Sequence, residues 1–212
     1  MRAWATAPAT TWATRSGAAS AATLAAVRRT VIEWVVTLAV AAVVVLAVEA
    51  EVAQPFRVPT SSMEPTLQCA RPGVGCTGRL NDRVIVAKVV YRFRGPRRQE
   101  IAVFHAPAAA KTKCDEGGTF LKRVIGLPGE QVSERNGFFY VDGRKLNEPY
   151  LTQFDRDSVS QKWPRLGPKQ YFVMGDNRLA SCDSRTWGPV PRHSFIGPVV
   201  ATYWPPTRWT VR

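Results

Sequence analysis

Three hydroxyls stand in a row between two prolines in Val58-Pro59-Thr60-Ser61-Ser62-Met63-Glu64-Pro65-Thr66-Leu67. Each proline removes a backbone donor and biases the residue before it toward extended geometry. The segment therefore reads as a constrained loop, where a serine can be offered to a substrate as a nucleophile. A serine needs a base to take its proton. His105 precedes Ala-Pro and His193 lies between Arg192 and Ser194. Neither has a nucleophile-elbow context, and both read as surface residues, so a Ser-His-Asp triad is poorly supported. Lysine can serve instead if it is neutral. Phe120-Leu121-Lys122-Arg123-Val124-Ile125 sets a lysine inside an apolar strand. Alternation puts Lys122 and Val124 on one face, opposite Leu121 and Arg123. Burial disfavours the ammonium and leaves an amine that can accept a proton. The plain alternatives are a polar turn at Ser61-Ser62 and a lysine that snorkels to water. The functional reading requires Lys122 to face inward.

The elements that must position these groups fall into two kinds. Thr30 to Val48 is a nineteen-residue apolar run with one charge, Glu33. As a helix it spans roughly 28 Å, close to a bilayer core. Arg2, Arg15, Arg28 and Arg29 precede it, which puts the N-terminus in the cytoplasm and the rest outside. Glu33 lies one turn from Arg29, where pairing is possible. A cleaved signal peptide competes, with Val48-Glu49-Ala50 as a small-x-small site, but the run exceeds the usual signal core. Residues 1–29 read as a disordered cytoplasmic segment, 30–53 as a transmembrane anchor and 54–212 as an extracytoplasmic β-rich domain.

Beyond the anchor the expected strands are Arg83 to Tyr91, Glu100 to Phe104, Thr119 to Ile125, Gln131-Val132, Phe138 to Val141, Lys145-Leu146, Gln170 to Met174 and Gly197 to Trp204. Asn136-Gly137 and Asp142-Gly143 are hairpin turn signals. Residues 148–169 read as an exposed insertion. The fold class expected is mainly β: antiparallel sheets, barrel- or sandwich-like, behind one transmembrane helix.

The net charge is +13. Such a balance suits anionic partners, nucleic acid or acidic lipid. No zinc-finger, RNA-binding or helix-turn-helix pattern supports nucleic acid, so the charge is read as surface solvation near a membrane. Cys69, Cys76, Cys114 and Cys182 permit three pairings. Cys69 and Cys76 flank a turn and could close a short local loop, and the spacings do not suit a metal site.

With these residues in view, the chain resembles the bacterial type I signal peptidases, membrane-bound Ser/Lys-dyad proteases. Four segments carry the resemblance in the family's order. The family's Pro-Ser-x-Ser-Met-x-Pro-Thr-Leu is matched by Pro59 to Leu67, and its Asp-Arg-Val segment by Asp82-Arg83-Val84. Its Lys-Arg-Val-x-Gly-x-Pro-Gly-Asp is matched by Lys122 to Glu130. Its Gly-Asp-Asn-Arg-x-x-Ser-x-Asp-Ser-Arg-x-x-Gly is matched by Gly175 to Gly188. The resemblance implies Ser62 as nucleophile and Lys122 as general base, with Ser181 hydrogen-bonded to Lys122. It implies the Ser62 N–H and the Thr60 hydroxyl as oxyanion donors. Asp176, Arg123, Asp183 and Arg185 would be structural ion pairs beside the site. Thr60 stands where serine is usual, Ser61 where glycine is common, and Glu130 where aspartate is common. Leu179-Ala180 replaces a pair that is often polar, and Cys182 beside Ser181 is unusual.

The activity implied is removal of N-terminal signal peptides from exported preproteins with small residues before the cleavage site. Membrane lipid is the other partner, and neither metal nor cofactor is needed. Ser62 lies nine residues beyond Ala53, at most ~30–32 Å of extended chain, so the nucleophile is tethered near the outer leaflet. Two rivals make different predictions. A self-cleaving repressor-type protein would need a DNA-binding N-terminal domain that residues 1–29 cannot supply. A non-catalytic anchored β-domain for anionic polymers would be indifferent to loss of Ser62 or Lys122.

Overall fold

The computed structural model describes residues 15–115 and 117–212. The chain divides into two compact units between Val48 and Glu49. The first is carried by helix α1 (Arg15–Glu51). Within α1, Leu24–Ala47 has a mean hydropathy of 2.4, and by length and composition it can cross a bilayer. Arg29 Nε pairs with Glu33 Oε1 at 3.0 Å, one turn apart. Residues 15–29 are helical rather than disordered as expected, and their alanine-rich sequence favours that state. Residues 1–14 of the expected disordered segment lie outside the described residues.

The second unit is built from β1 (Ala53–Arg57), β2 (Arg83–Ala87), α2 (Val90–Phe93), β3 (Ile101–His105), α3 (Ala108–Cys114) and β4 (Thr119–Gly126). Then come β5 (Val132–Arg135), β6 (Phe138–Val141), β7 (Arg144–Lys145), β8 (Gln161–Lys162) and β9 (Gln170–Met174). The chain ends with α4 (Ser184–Trp187), β10 (Val190–Pro191), β11 (Phe195–Trp204) and β12 (Thr210–Val211). One sheet runs β1-β2-β11-β3-β4-β9-β10 with β12 beside β11, and the other runs β7-β6-β5-β8. Every strand pairing is antiparallel. The chain is thus mainly antiparallel β behind one apolar helix, as its pattern indicates.

The hairpin signals act through backbone geometry. Asn136 and Gly137 have φ of 47° and 74°, and Asp142 and Gly143 have 46° and 79°. Two successive left-handed residues make the turn that matches strand twist. Three apolar clusters fill the unit. Phe104, Val124, Tyr171, Trp187 and Phe195 form one. Val58, Met63, Leu67, Val84 and Val103 form the next. Ile125, Val132, Phe139, Trp163 and Phe172 form the third. Strand β4 reaches all three, through Phe120 and Val124, Leu121, and Ile125 respectively.

Two expectations are corrected. The β-branched run from Arg83 does not stay a strand to Tyr91: it ends at Ala87, and Tyr91 lies in α2. Tyr91 is buried there, its ring edge-on to Phe195 and its hydroxyl donating to Glu100 Oε2 at 3.0 Å. Residues 148–169 are not simply an exposed insertion. Glu148, Trp163 and Leu166 are buried, and Trp163 stacks on Phe139 with centroids 6.0 Å apart. This stretch closes the second sheet's core.

Candidate active site

Beyond β1 the chain passes through Thr60, whose backbone is extended, into a single 3-10 turn at Ser61–Met63. Glu64 returns to extended geometry at φ −63° and ψ 144°, as the following Pro65 demands. The turn is pinned by burial of Met63 and Leu67. It is pinned again by Glu64, whose buried carboxylate accepts from the Cys69 and Thr77 N–H groups at 3.2 and 3.1 Å and from Thr77 Oγ1 at 2.6 Å. Ser62 rides half-buried on this turn. Its Oγ is 3.4 Å from Thr60 Oγ1.

Lys122 sits in β4 opposite Ala102 of β3 and is only 3% exposed. It faces inward, the condition its sequence reading required. Ser62, Thr60 and Lys122 line one cavity of about 320 Å³, whose walls include Phe56, Val58, Met63 and Phe120. The two halves of the candidate dyad, sixty residues apart in the chain, are thus brought to one space.

The turn after β9 locks this arrangement. The Asn177 N–H donates to Ser62 O at 3.1 Å, and Asn177 Nδ2 donates to Ser61 O at 3.2 Å. Gly175 permits the approach: a Cβ there would meet Ser181 Oγ at 2.2 Å and Ser62 O at 2.3 Å. Asp176 accepts from Arg123 Nε and Nη2 at 2.8 and 2.6 Å, and Arg123 Nη1 donates to Gln99 O at 2.8 Å. Since Arg123 follows Lys122, this buried pair joins the lysine's strand to the turn that holds Ser62. Asp183 accepts from the Gly175 N–H at 3.1 Å and caps α4 through the Arg185 N–H. Arg185 also donates to Asp183, to Asp157 and to the carbonyls of Arg178 and Ser181. Burial opposes the Arg185 charge, but its bond to Asp183 and the Asp157 and Glu134 charges outweigh that and raise its pKa.

Seven of the eight sequence-derived site residues therefore lie either on the cavity or in the Arg123–Asp176 and Arg185–Asp183 pairs; Ser181 does neither. One expected contact is missing. Ser181 Oγ is buried without a hydrogen-bond partner, so the bond to Lys122 implied by the resemblance is not made here. Sequence reasoning passed over Gly175, Asn177 and Glu64. The first two stand in the Gly175 to Gly188 segment that carried the resemblance, so their signal was available. Glu64 gave none, because its partners become neighbours only through folding.

Residues 31–204 match the model of the family described as signal peptidase, peptidase S26. The chain belongs to that family. Signal peptidase I of Leptolyngbya laminosa is 38% identical over 179 residues, covering 83% of this chain and 81% of its own. Signal peptidase IB of Staphylococcus aureus (strain COL) is 30% identical over 194 residues, covering 84% and 92%. A crystal structure of a signal peptidase I from Enterococcus faecalis V583 covers 50% of this chain and 97% of its own, at 30% identity and a TM-score of 0.42.

Proposed function

We propose that this chain is a membrane-anchored serine endopeptidase that removes N-terminal signal peptides from exported preproteins, with Ser62 as nucleophile and Lys122 as general base. Membership of the signal peptidase family supports the reaction class. The observation that carries the residue assignment is the shared cavity of Ser62 and buried Lys122.

Ser62 Oγ attacks the scissile carbonyl carbon and passes its proton to Lys122 Nζ. The negative oxygen is met by the Ser62 N–H and the Thr60 hydroxyl. The 3.4 Å separation of the Thr60 hydroxyl from Ser62 Oγ supports that role. Lys122 then gives its proton to the departing amine, leaving the signal peptide as an ester on Ser62. Water attacks that ester, losing a proton to Lys122, and the proton returns to Ser62 Oγ as the ester breaks. Lys122 can act only as the neutral amine. Its burial favours that form.

The apolar cavity wall suits small aliphatic side chains before the cleavage site, and β1 stands at the end of its sheet, where an extended substrate would add as a further strand. The helix Leu24–Ala47 would hold the enzyme in the membrane as a single pass, N-terminus inside and second unit outside. The test is cleavage of a preprotein by the detergent-solubilised chain. Ser62→Ala and Lys122→Ala should each abolish the shortened product while retaining the wild-type circular dichroism spectrum. Lys122→Arg should also be inactive, because guanidinium stays protonated. Appreciable turnover in any of the three would sink the dyad.

A further inference from the structure

The bond between Cys114 and Cys182 spans 68 residues of sequence and joins the two segments that flank the proposed catalytic groups. Cys114 is the last residue of α3. Three residues later Gly117 lines the cavity, and the chain then enters β4 toward Lys122. Cys182 follows Ser181 directly and precedes Asp183, whose carboxylate holds the Gly175 N–H. Gly175 in turn packs on the Ser62 carbonyl. The disulfide thus ties the approach to Lys122 to the loop behind Ser62. It adds to the Arg123–Asp176 pair and the β4–β9 ladder, and to two contacts nearer the bond: Lys113 Nζ donates to Thr186 O at 2.9 Å, and Phe120 stacks on Trp187 at 5.1 Å.

Exposure separates this disulfide from the other one. Cys69 and Cys76 are buried, whereas Cys114 and Cys182 are half-buried at the edge of an apolar cluster. We propose that Cys114 and Cys182 are positioning residues whose bond sets the turnover of the active site, so that the enzyme is redox-sensitive through this pair. An external dithiol supplies two electrons and two protons. The sulfur–sulfur bond breaks, two protein thiols form, and the dithiol leaves as its own disulfide; exchange with an oxidising disulfide reverses the step. A chain kept reduced, as thiols are on the cytoplasmic side of a membrane, is then a slow peptidase until the bond forms. This inference rests on the peptidase reading above.

The experiment follows cleavage of a signal-sequence peptide by the full-length, detergent-solubilised chain. It compares the oxidised protein, the protein after mild dithiothreitol with free thiols counted, and the Cys114→Ser/Cys182→Ser variant. The temperature is one where near-UV circular dichroism shows all three folded. With two thiols released, kcat should fall about tenfold and KM should stay within about twofold. Reoxidation should restore kcat. The double variant should match the reduced enzyme and be indifferent to dithiothreitol. If the variant does not fold, reversible reduction of the wild type alone decides the matter. Unchanged kcat with the pair reduced would overturn the proposal, as would a loss that only tracks the unfolded fraction. Failure of the oxidised wild type to cleave at all would remove the peptidase reading, and this inference with it.

Discussion

Ser62 is held more by its backbone than by its side chain. Its carbonyl and that of Ser61 both accept from Asn177, through the N–H and Nδ2. The Asn177 side chain also reaches forward, with Oδ1 accepting from the Ala180 N–H at 3.2 Å. One amide therefore couples the nucleophile turn to the loop that carries Ser181. Asn177→Ala keeps the backbone donor and leaves Ser61 O and the Ala180 N–H without these partners. Loss of such a bond is worth about 1 kcal/mol, so kcat should fall roughly fivefold with little change in KM. Asn177→Asp keeps the acceptor toward Ala180 and loses the donor toward Ser61, so it separates the two contributions. A kcat equal to wild type in both variants, by steady-state peptide hydrolysis, would show that the N–H alone positions Ser62. The hydroxyl row and the lysine in its apolar strand were legible because type and local spacing carry them, whereas the Asp/Arg pairs were legible only through the resemblance. Asn177 itself stood in a segment that carried the resemblance, but its grip on Ser61 and Ser62 was not legible, because those partners lie over a hundred residues away in sequence.

At the scale of elements, β4 does most of the positioning. It carries Lys122 and Arg123 and contributes side chains to all three apolar clusters. At its far end the β9 register shifts between Val124 and Gly126. There the strand comes against the second sheet: a Cβ on Gly126 would lie 2.6 Å from Val132 Cγ2 and 2.9 Å from Leu166 Cδ1. Gly126→Ala therefore overpacks the junction, and it should cost about 1–3 kcal/mol, read as a lower midpoint in urea unfolding. An unchanged midpoint would mean that Val132 and Leu166 yield freely. Strand periodicity and turn residues made β3, β4, β6 and β9 readable. They failed at Arg83 to Tyr91 and at residues 148–169 for the same reason. Tyr91 and Trp163 are placed by distant partners, Glu100 and Phe195 for one and Phe139 and Phe172 for the other, and no local pattern records those.

Across the whole molecule the net charge is +13, and several buried acids in the second unit are turned onto arginines: Asp176 on Arg123, Glu148 on Arg156 and Arg178, Asp183 on Arg185. Buried Glu64 is held instead by the Cys69 and Thr77 donors. Glu134 has neither kind of partner. It is 2% exposed on β5, and neither carboxyl oxygen receives a donor. Alternation hints at this, since Val132 and Glu134 share the buried face of the strand. Burial, reinforced by the adjacent Asp157 and opposed by Arg185 and Arg178, pushes its carboxyl up to about 8 from an ordinary 4.5. Below the ordinary value both folded and unfolded chains hold the proton, and the group has no effect on stability. Between there and about 8 the unfolded chain has lost a proton that the folded protein keeps bound. Folding stability therefore falls as pH rises through that window, by at most about 1.4 kcal/mol per unit, and levels off above it. Glu134→Gln keeps the shape and has no proton to lose, so it should flatten this decline and melt higher than wild type at pH 8, with the smaller difference at pH 5. Thermal melts of both proteins at the two pH values measure it. A wild-type melting temperature that does not change between them, or a decline that survives in Glu134→Gln, would show that Glu134 is ionised in the fold and that the Arg178 and Arg185 charges already balance it.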